Sequence, residues 1–262
     1  MINEKKSPCI WVTRPQAQSE TLFYMLVQSG YRTVNFPVIE IEAIKPTAEL
    51  LALFDHLENY QAIIFVSRNA VNYSFSQFLS ADKIPANSNI IAIGNATATT
   101  LHEYAINSIS CNGEKTDSES LLTLPELQTQ LISGKRILLV RGQGGRELLY
   151  NTLTSRGATV DLAEVYARTI PKYEEQYLDK LWRENHPDAI IVTSNEGIDN
   201  LIALTPEMYM KTLYQIPLVV MSERNASYAS DCGFITASET ANETSDSGLQ
   251  TALTSLLEKS HT

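Results

Sequence analysis

A phenol and a recurring set of polar loops are the chemistry this sequence offers. Tyr166 sits in Glu164-Val165-Tyr166-Ala167-Arg168, an extended run with charged neighbours. A phenol placed there can donate a proton or hydrogen-bond a leaving group. The competing reading is a packed strand tyrosine, one of twelve in the chain. Small polar residues and exposed backbone also recur wherever an apolar run ends. These positions are Thr13 and Arg14, Ser67, Gly94 and Thr97, Arg141, Gly142 and Gly145, Thr193 and Ser194, and Ser222 and Arg224. Each precedes a predicted helix start, where free N–H groups and the positive dipole end favour anions. One such loop is commonly structural; the recurrence points to a polyanion. The most conspicuous is Arg141-Gly142-Gln143-Gly144-Gly145-Arg146. It is not GxGxxG, because position 147 is Glu, and it is not a Walker loop, because no Gly-Lys-Ser/Thr occurs. An anion-binding turn and a merely tight turn stay equally open.

Other chemistries lack their parts. His56 and His102 fall in predicted helices, His186 precedes Pro187, and His261 is in the tail, so a Ser-His-Asp or Cys-His mechanism has no base at a strand-end loop. Cys9, Cys111 and Cys232 are odd in number and widely spaced, with no CxxC, which argues against a zinc site or a disulfide framework and for a reducing cytoplasm. No HExxH or carboxylate cluster suggests a metal.

The elements that must position these loops come from an ordinary globular composition. The chain has 262 residues, 44% hydrophobic and 19% charged, with a net charge of −10. That balance argues against nucleic acid as a partner. No apolar stretch reaches the length of a membrane span, and the N-terminal run Ile10–Val12 is too short for a signal peptide. Short β-branched runs such as Ala62–Val66, Ile137–Val140 and Ala189–Val192 alternate with amphipathic segments. Continuous apolar strands between helices indicate parallel sheets covered on both faces, hence an α/β protein. The chain also repeats itself at an offset of about 127: Ala62-Ile63-Ile64 with Ser67 returns as Ala189-Ile190-Ile191 with Ser194, and Trp11–Gly30 resembles Leu139–Gly157 in outline. Taken alone, this repeat divides the chain near residue 130. Val38–Glu42 and Glu164–Arg168 stand apart as edge strands or connectors.

The ordered set of motifs resembles the uroporphyrinogen-III synthase family in its gamma-proteobacterial form. The motifs are Val12-Thr13-Arg14-Pro15, Phe36-Pro37-Val38-Ile39-Glu40-Ile41, Phe65-Val66-Ser67, Ala92-Ile93-Gly94, Leu139–Leu148, Glu164–Arg168, Val192-Thr193-Ser194 and Val220-Met221-Ser222-Glu223-Arg224. Asn112–Thr116 and Ser238–Ser247 match nothing distinctive. The resemblance implies two flavodoxin-like α/β domains with parallel sheets, joined by a two-stranded β-ladder and facing each other across a cleft. It places residues 1–38 with 171–262 in domain 1, 45–163 in domain 2, and 39–44 and 164–170 in the linker strands.

It also implies a reaction: closure and dehydration of hydroxymethylbilane to uroporphyrinogen III, with ring D inverted through a spiro intermediate and no cofactor. Tyr166 would then assist departure of the hydroxyl. Thr13, Ser67, Thr97, Thr193, Ser194 and Ser222, with the backbone at Gly142 and Gly145, would hold the eight substrate carboxylates, and Arg14 and Arg141 would supply charge or tie their own loops. The implied setting is a cytoplasmic monomer taking its substrate from hydroxymethylbilane synthase. The missing acid–base set equally suits a non-catalytic two-lobed protein that closes on a small anion. A third reading, a nucleotide-dependent enzyme using the Gly142–Gly145 turn, is weighed against by the absent Walker and Rossmann fingerprints.

Overall fold

The computed structural model describes residues 7–111, 117–145, 147–236 and 238–259. The linker Asn112–Thr116, Arg146 of the glycine-rich loop and His261 lie outside them. Among the described residues eleven strands are formed: β1 (Cys9–Val12), β2 (Arg32–Asn35), β3 (Glu40–Ala43), β4 (Ala62–Phe65), β5 (Asn89–Ala92), β6 (Ile109–Ser110), β7 (Arg136–Gly142), β8 (Thr159–Thr169), β9 (Ala189–Val192), β10 (Leu218–Val220) and β11 (Glu239–Thr240). The chain divides into two compact units, Met1–Glu40 with Thr169–Thr262, and Ile41–Arg168.

The first unit holds a sheet of order β11-β10-β9-β1-β2, paired in parallel throughout. Numbered along its own chain, that is 2-1-3-4-5, the flavodoxin-like order. β1, β9 and β10 are buried along their whole length, as expected of strands covered on both faces. On one face Ile10, Val12, Ile191 and Val219 pack with Leu22 and Leu26 of helix Gln16–Gln28 and Leu249 and Leu253 of helix Asp246–Lys259. On the other, the fully buried Trp11 meets Trp182 edge-on at 4.8 Å and Phe36 at 5.1 Å, and its Nε1 donates to the Asn185 carbonyl at 2.8 Å. Trp11→Ala is therefore expected to cost about 3–5 kcal/mol. Chemical denaturation should register it; a loss under about 1 kcal/mol would mean that this face is not a packed core.

The second unit holds the order β3-β8-β7-β4-β5-β6. Its strands from β4 to β8 read 5-4-1-2-3 in the sheet, the same ladder with the chain start moved. β7 and β8 thus stand where β1 and β2 stand in the first unit, and β4, β5 and β6 where β9, β10 and β11 stand. The register agrees: Ala62 lies beside Ile137, and Ala189 beside Ile10. The cut near residue 130 suggested by the repeat alone falls between β6 and β7, which share one sheet. The reason is physical: the apolar β7 finds its neighbours in β4, earlier in the chain, and β8, later. β3 adds a ladder at the edge beside β8, where the Ile44 N–H donates to the Val165 carbonyl at 3.1 Å. So Glu164–Arg168 is the end of a long interior strand, and β3 is the edge. His56 follows helix Ala48–Asp55 as its C-cap and does not lie within it.

Candidate functional site

In the second unit, the helices after β4 and β7 leave on opposite faces. Ala70 and Val71 of helix Arg68–Gln77 join the core with Ile63, Phe65 and Val140, whereas Leu149 and Leu153 of helix Leu148–Ser155 join the core with Ile64 and Leu139. This is the topological switch point, where open α/β sheets form their ligand crevices. Ser67 follows β4 on one side of it and Gly142 ends β7 on the other.

Tyr166 reaches across that point from β8, one strand further out. A skip in register brings it there. Arg141 pairs with Glu164, but Gly142 pairs with Tyr166, so Val165 is passed over. Regular alternation would send Val165 and Tyr166 to opposite faces. The bulge puts both in one core cluster, in keeping with the use of bulges to re-aim side chains near sites. The ring then lies over Gly142. A Cβ at 142 would stand 2.5 Å from the ring Cζ and 2.9 Å from the phenol oxygen, so the glycine is required by close approach. Beyond it, the Tyr166 hydroxyl meets Ser67 Oγ at 3.1 Å. Tyr73 backs the ring at 5.8 Å between centroids, tilted by 26°.

Three tyrosines can be compared here by what holds their protons. Tyr73 donates to the Ile41 carbonyl at 2.7 Å and Tyr173 to the Pro37 carbonyl at 2.8 Å. A carbonyl only accepts, so those protons are committed. Burial, with the neighbouring Tyr177 and Glu40, pushes Tyr173 up to about 12. Tyr166 faces a hydroxyl, which can donate as readily as accept. Its own proton can therefore be directed elsewhere.

Arg141 is buried at 3% exposure. Its Nε donates to the Gly142 carbonyl at 3.2 Å, its Nη2 donates to the Gly145 carbonyl, and Glu147 and Glu164 lie at 3.6 and 3.8 Å. A Cβ at Gly145 would meet this guanidinium at 2.9 Å. The arginine thus braces the glycine-rich turn against β8. Thr97 is buried in the first turn of helix Asn95–Glu103, and the structure records no hydrogen bond joining it to the Ser67–Tyr166 pair.

The first unit repeats the scaffold without the phenol. Thr13 is buried and donates its hydroxyl to the Ile191 carbonyl at 2.8 Å, and Arg14 pairs with Asp246 at 2.5 Å. Ser194 caps helix Asn195–Leu204 by accepting from the Gly197 N–H at 3.0 Å. Thr193 beside it is half-buried. Ser222 donates to Asn225 Oδ1 at 2.7 Å, and Asn225 Nδ2 donates to Asn195 Oδ1 at 2.7 Å, so the loops after β9 and β10 are latched together. Residue Ile39 stands where the repeat would place a counterpart of Tyr166.

Sequence reasoning missed Tyr73, Glu164 as a partner of Arg141, and the Asn195–Asn225 latch. One signal was present. Tyr73 and Asn200 are related by the same offset as the strands, and both hold the chain where it passes from one unit to the other: Asn200 Nδ2 donates to the Val38 carbonyl at 2.8 Å. Among the described residues no group of three or more His, Cys, Asp or Glu could hold a metal ion, and no helix is long and apolar enough to cross a membrane.

Sheet orders and loops define a protein of two flavodoxin-like α/β units, with polar loops at the carboxyl ends of its strands and a phenol at one switch point. Comparison with known proteins narrows that class. A sequence model described as uroporphyrinogen-III synthase HemD matches residues 22–250. The chain is 36% identical over 227 residues to the uroporphyrinogen-III synthase of Escherichia coli K12, covering 86% of this chain and 92% of that one. It is 35% identical over the same length to the enzyme of that name from Salmonella typhimurium, with the same coverage. In fold it is similar to the uroporphyrinogen-III synthetase of Helicobacter pylori 26695, with a TM-score of 0.64 at 16% identity over 95% of this chain and 99% of that one. A mutant uroporphyrinogen III synthase from Thermus thermophilus gives 0.61 at 18%, with the same coverage. The chain belongs to the uroporphyrinogen-III synthase family.

Proposed function

We propose that this chain closes hydroxymethylbilane to uroporphyrinogen III, losing water and inverting ring D through a spiro intermediate. Membership of the family over most of the chain carries this reading. In the proposed reaction the pyrroles supply the electrons, and the protein holds the linear substrate in a bent arrangement. Positioning of this kind lowers barriers by up to about 7–11 kcal/mol in favourable cases. Tyr166 gives its proton to the departing hydroxyl. Ring carboxylates are held by backbone N–H groups of the glycine-rich turn and by helix starts at Gly94, Ser194 and Ser222, with Thr193 and Thr97 nearby in the chain. In an acidic protein such local donors oppose the overall charge.

Arg14 and Arg141, each engaged by its own unit, act mainly by fixing the loops that carry these donors. The chain works as a cytoplasmic monomer supplied by hydroxymethylbilane synthase. Turnover separates this reading from a two-lobed binding protein. With substrate in hundredfold excess over chain, consumption of all of it well ahead of spontaneous closure is expected. Protection of one equivalent of substrate and no acceleration would support the binding protein instead.

A further inference from the structure

We propose that Ser67 is a positioning residue that holds the phenol of Tyr166 as a hydrogen-bond donor, and is not a ligand to a substrate carboxylate. The inference rests on the reading of Tyr166 as proton donor.

A serine hydroxyl has one O–H and two acceptor sites. One acceptor site takes the Ala70 N–H at 3.0 Å, which caps helix Arg68–Gln77 and fixes the rotamer. The O–H and the second lone pair remain, and the group at hand is the Tyr166 hydroxyl at 3.1 Å. With Ser67 donating, the Tyr166 proton points away from Ser67 and is available. The approach is secured from three sides: the register skip at Val165 aims the ring, Gly142 leaves room beneath it, and Tyr73 backs it.

The C–O bond of the terminal hydroxymethyl breaks, and its electron pair goes to oxygen. The Tyr166 proton joins that oxygen, and water leaves. A pyrrole nitrogen supplies the electron pair that the carbon loses. The phenolate left behind accepts the Ser67 O–H in a charge-assisted hydrogen bond, stronger than the neutral one it replaces. A proton released by the pyrrole on ring closure restores the phenol. Ser67 therefore matters more after proton transfer than before, which makes its contribution visible in kcat.

Three substitutions separate this role from capping and from substrate binding. Gly caps nearly as well as Ser and has no hydroxyl. Asp caps well but, ionised, only accepts. Thr keeps both properties. Ser67→Gly is expected to lower kcat about 10- to 100-fold with KM changed less than about threefold. Ser67→Asp should lose more than Ser67→Gly while melting no lower, the reverse of what a capping role predicts, and Ser67→Thr should recover most of kcat. In a Tyr166→Phe background, Ser67→Gly should cost nothing further.

A rise in KM at unchanged kcat, or the same loss repeated in the Tyr166→Phe background, would overturn the proposal and make Ser67 a substrate ligand. Full activity of Tyr166→Phe alone is a different result: it would remove the proton-donor reading itself.

Discussion

Tyr166→Phe is expected to lower kcat by about 10²- to 10⁴-fold, the range that a positioned general acid supplies, and to leave the fold intact. The ring would keep its place, because Gly142 and Tyr73 hold it through its carbon atoms. Only the hydroxyl is lost. Ser67 Oγ keeps its Ala70 N–H and remains half-buried, with water in reach, so the stability change should stay near the ~1 kcal/mol of a single hydrogen bond. Steady-state kinetics and thermal unfolding on the same sample measure both. Activity within about threefold of the parent would show that the hydroxyl departs without this phenol. A large fall in melting temperature would show that the ring was held by its oxygen.

Gly142→Ala should come close to the same loss of kcat through the opposite means, leaving the phenol in the molecule but out of place. The added methyl would stand 2.5 and 2.6 Å from two ring carbons and 2.9 Å from the oxygen. Contacts that short require the ring to move, and it is packed in the core at 5% exposure with Tyr73 behind it. The expected results are a kcat lower by about 10²-fold, since displacement of a catalytic group by about 1 Å can cost that much, and a stability loss of about 1–3 kcal/mol from overpacking. Adding Tyr166→Phe to Gly142→Ala should remove little more. An alanine variant with the parent's kcat would mean that the ring does not need the space over residue 142.

The parts of this molecule that were legible in the sequence are those fixed by local burial. Four-residue apolar runs such as Ala62–Phe65 and Ala189–Val192 are buried throughout because helices cover both faces of each sheet, and that demand is written into consecutive residues. Ser67, Ser194 and Ser222 stand before predicted helix starts and do cap those helices, since capping is satisfied within three residues. What could not be read depends on strand neighbours, which parallel sheets take from distant parts of the chain. The repeat was visible, but its division was not, because β7 pairs backwards with β4 and forwards with β8. By sequence, Gly142 belongs to a turn equally open to anion binding and to tightness alone. Its closest demand is steric, and comes from a ring delivered by a register skip that no local pattern announces. Arg141 was legible as a loop arginine, but not its turn back onto the carbonyls of Gly142 and Gly145. By sequence Tyr73 is one tyrosine among twelve, and only the ring of Tyr166 against it sets it apart.

The identity of the product is the decisive measurement. Freshly generated hydroxymethylbilane would be incubated with and without the chain, and the oxidised products separated into type I and type III isomers. Closure without catalysis gives type I, so the sample without protein is the control. Predominantly type III is expected with the parent chain, and a product falling back toward type I with Tyr166→Phe as uncatalysed closure overtakes the slowed enzyme. Type I alone from the folded parent chain would contradict the synthase reading.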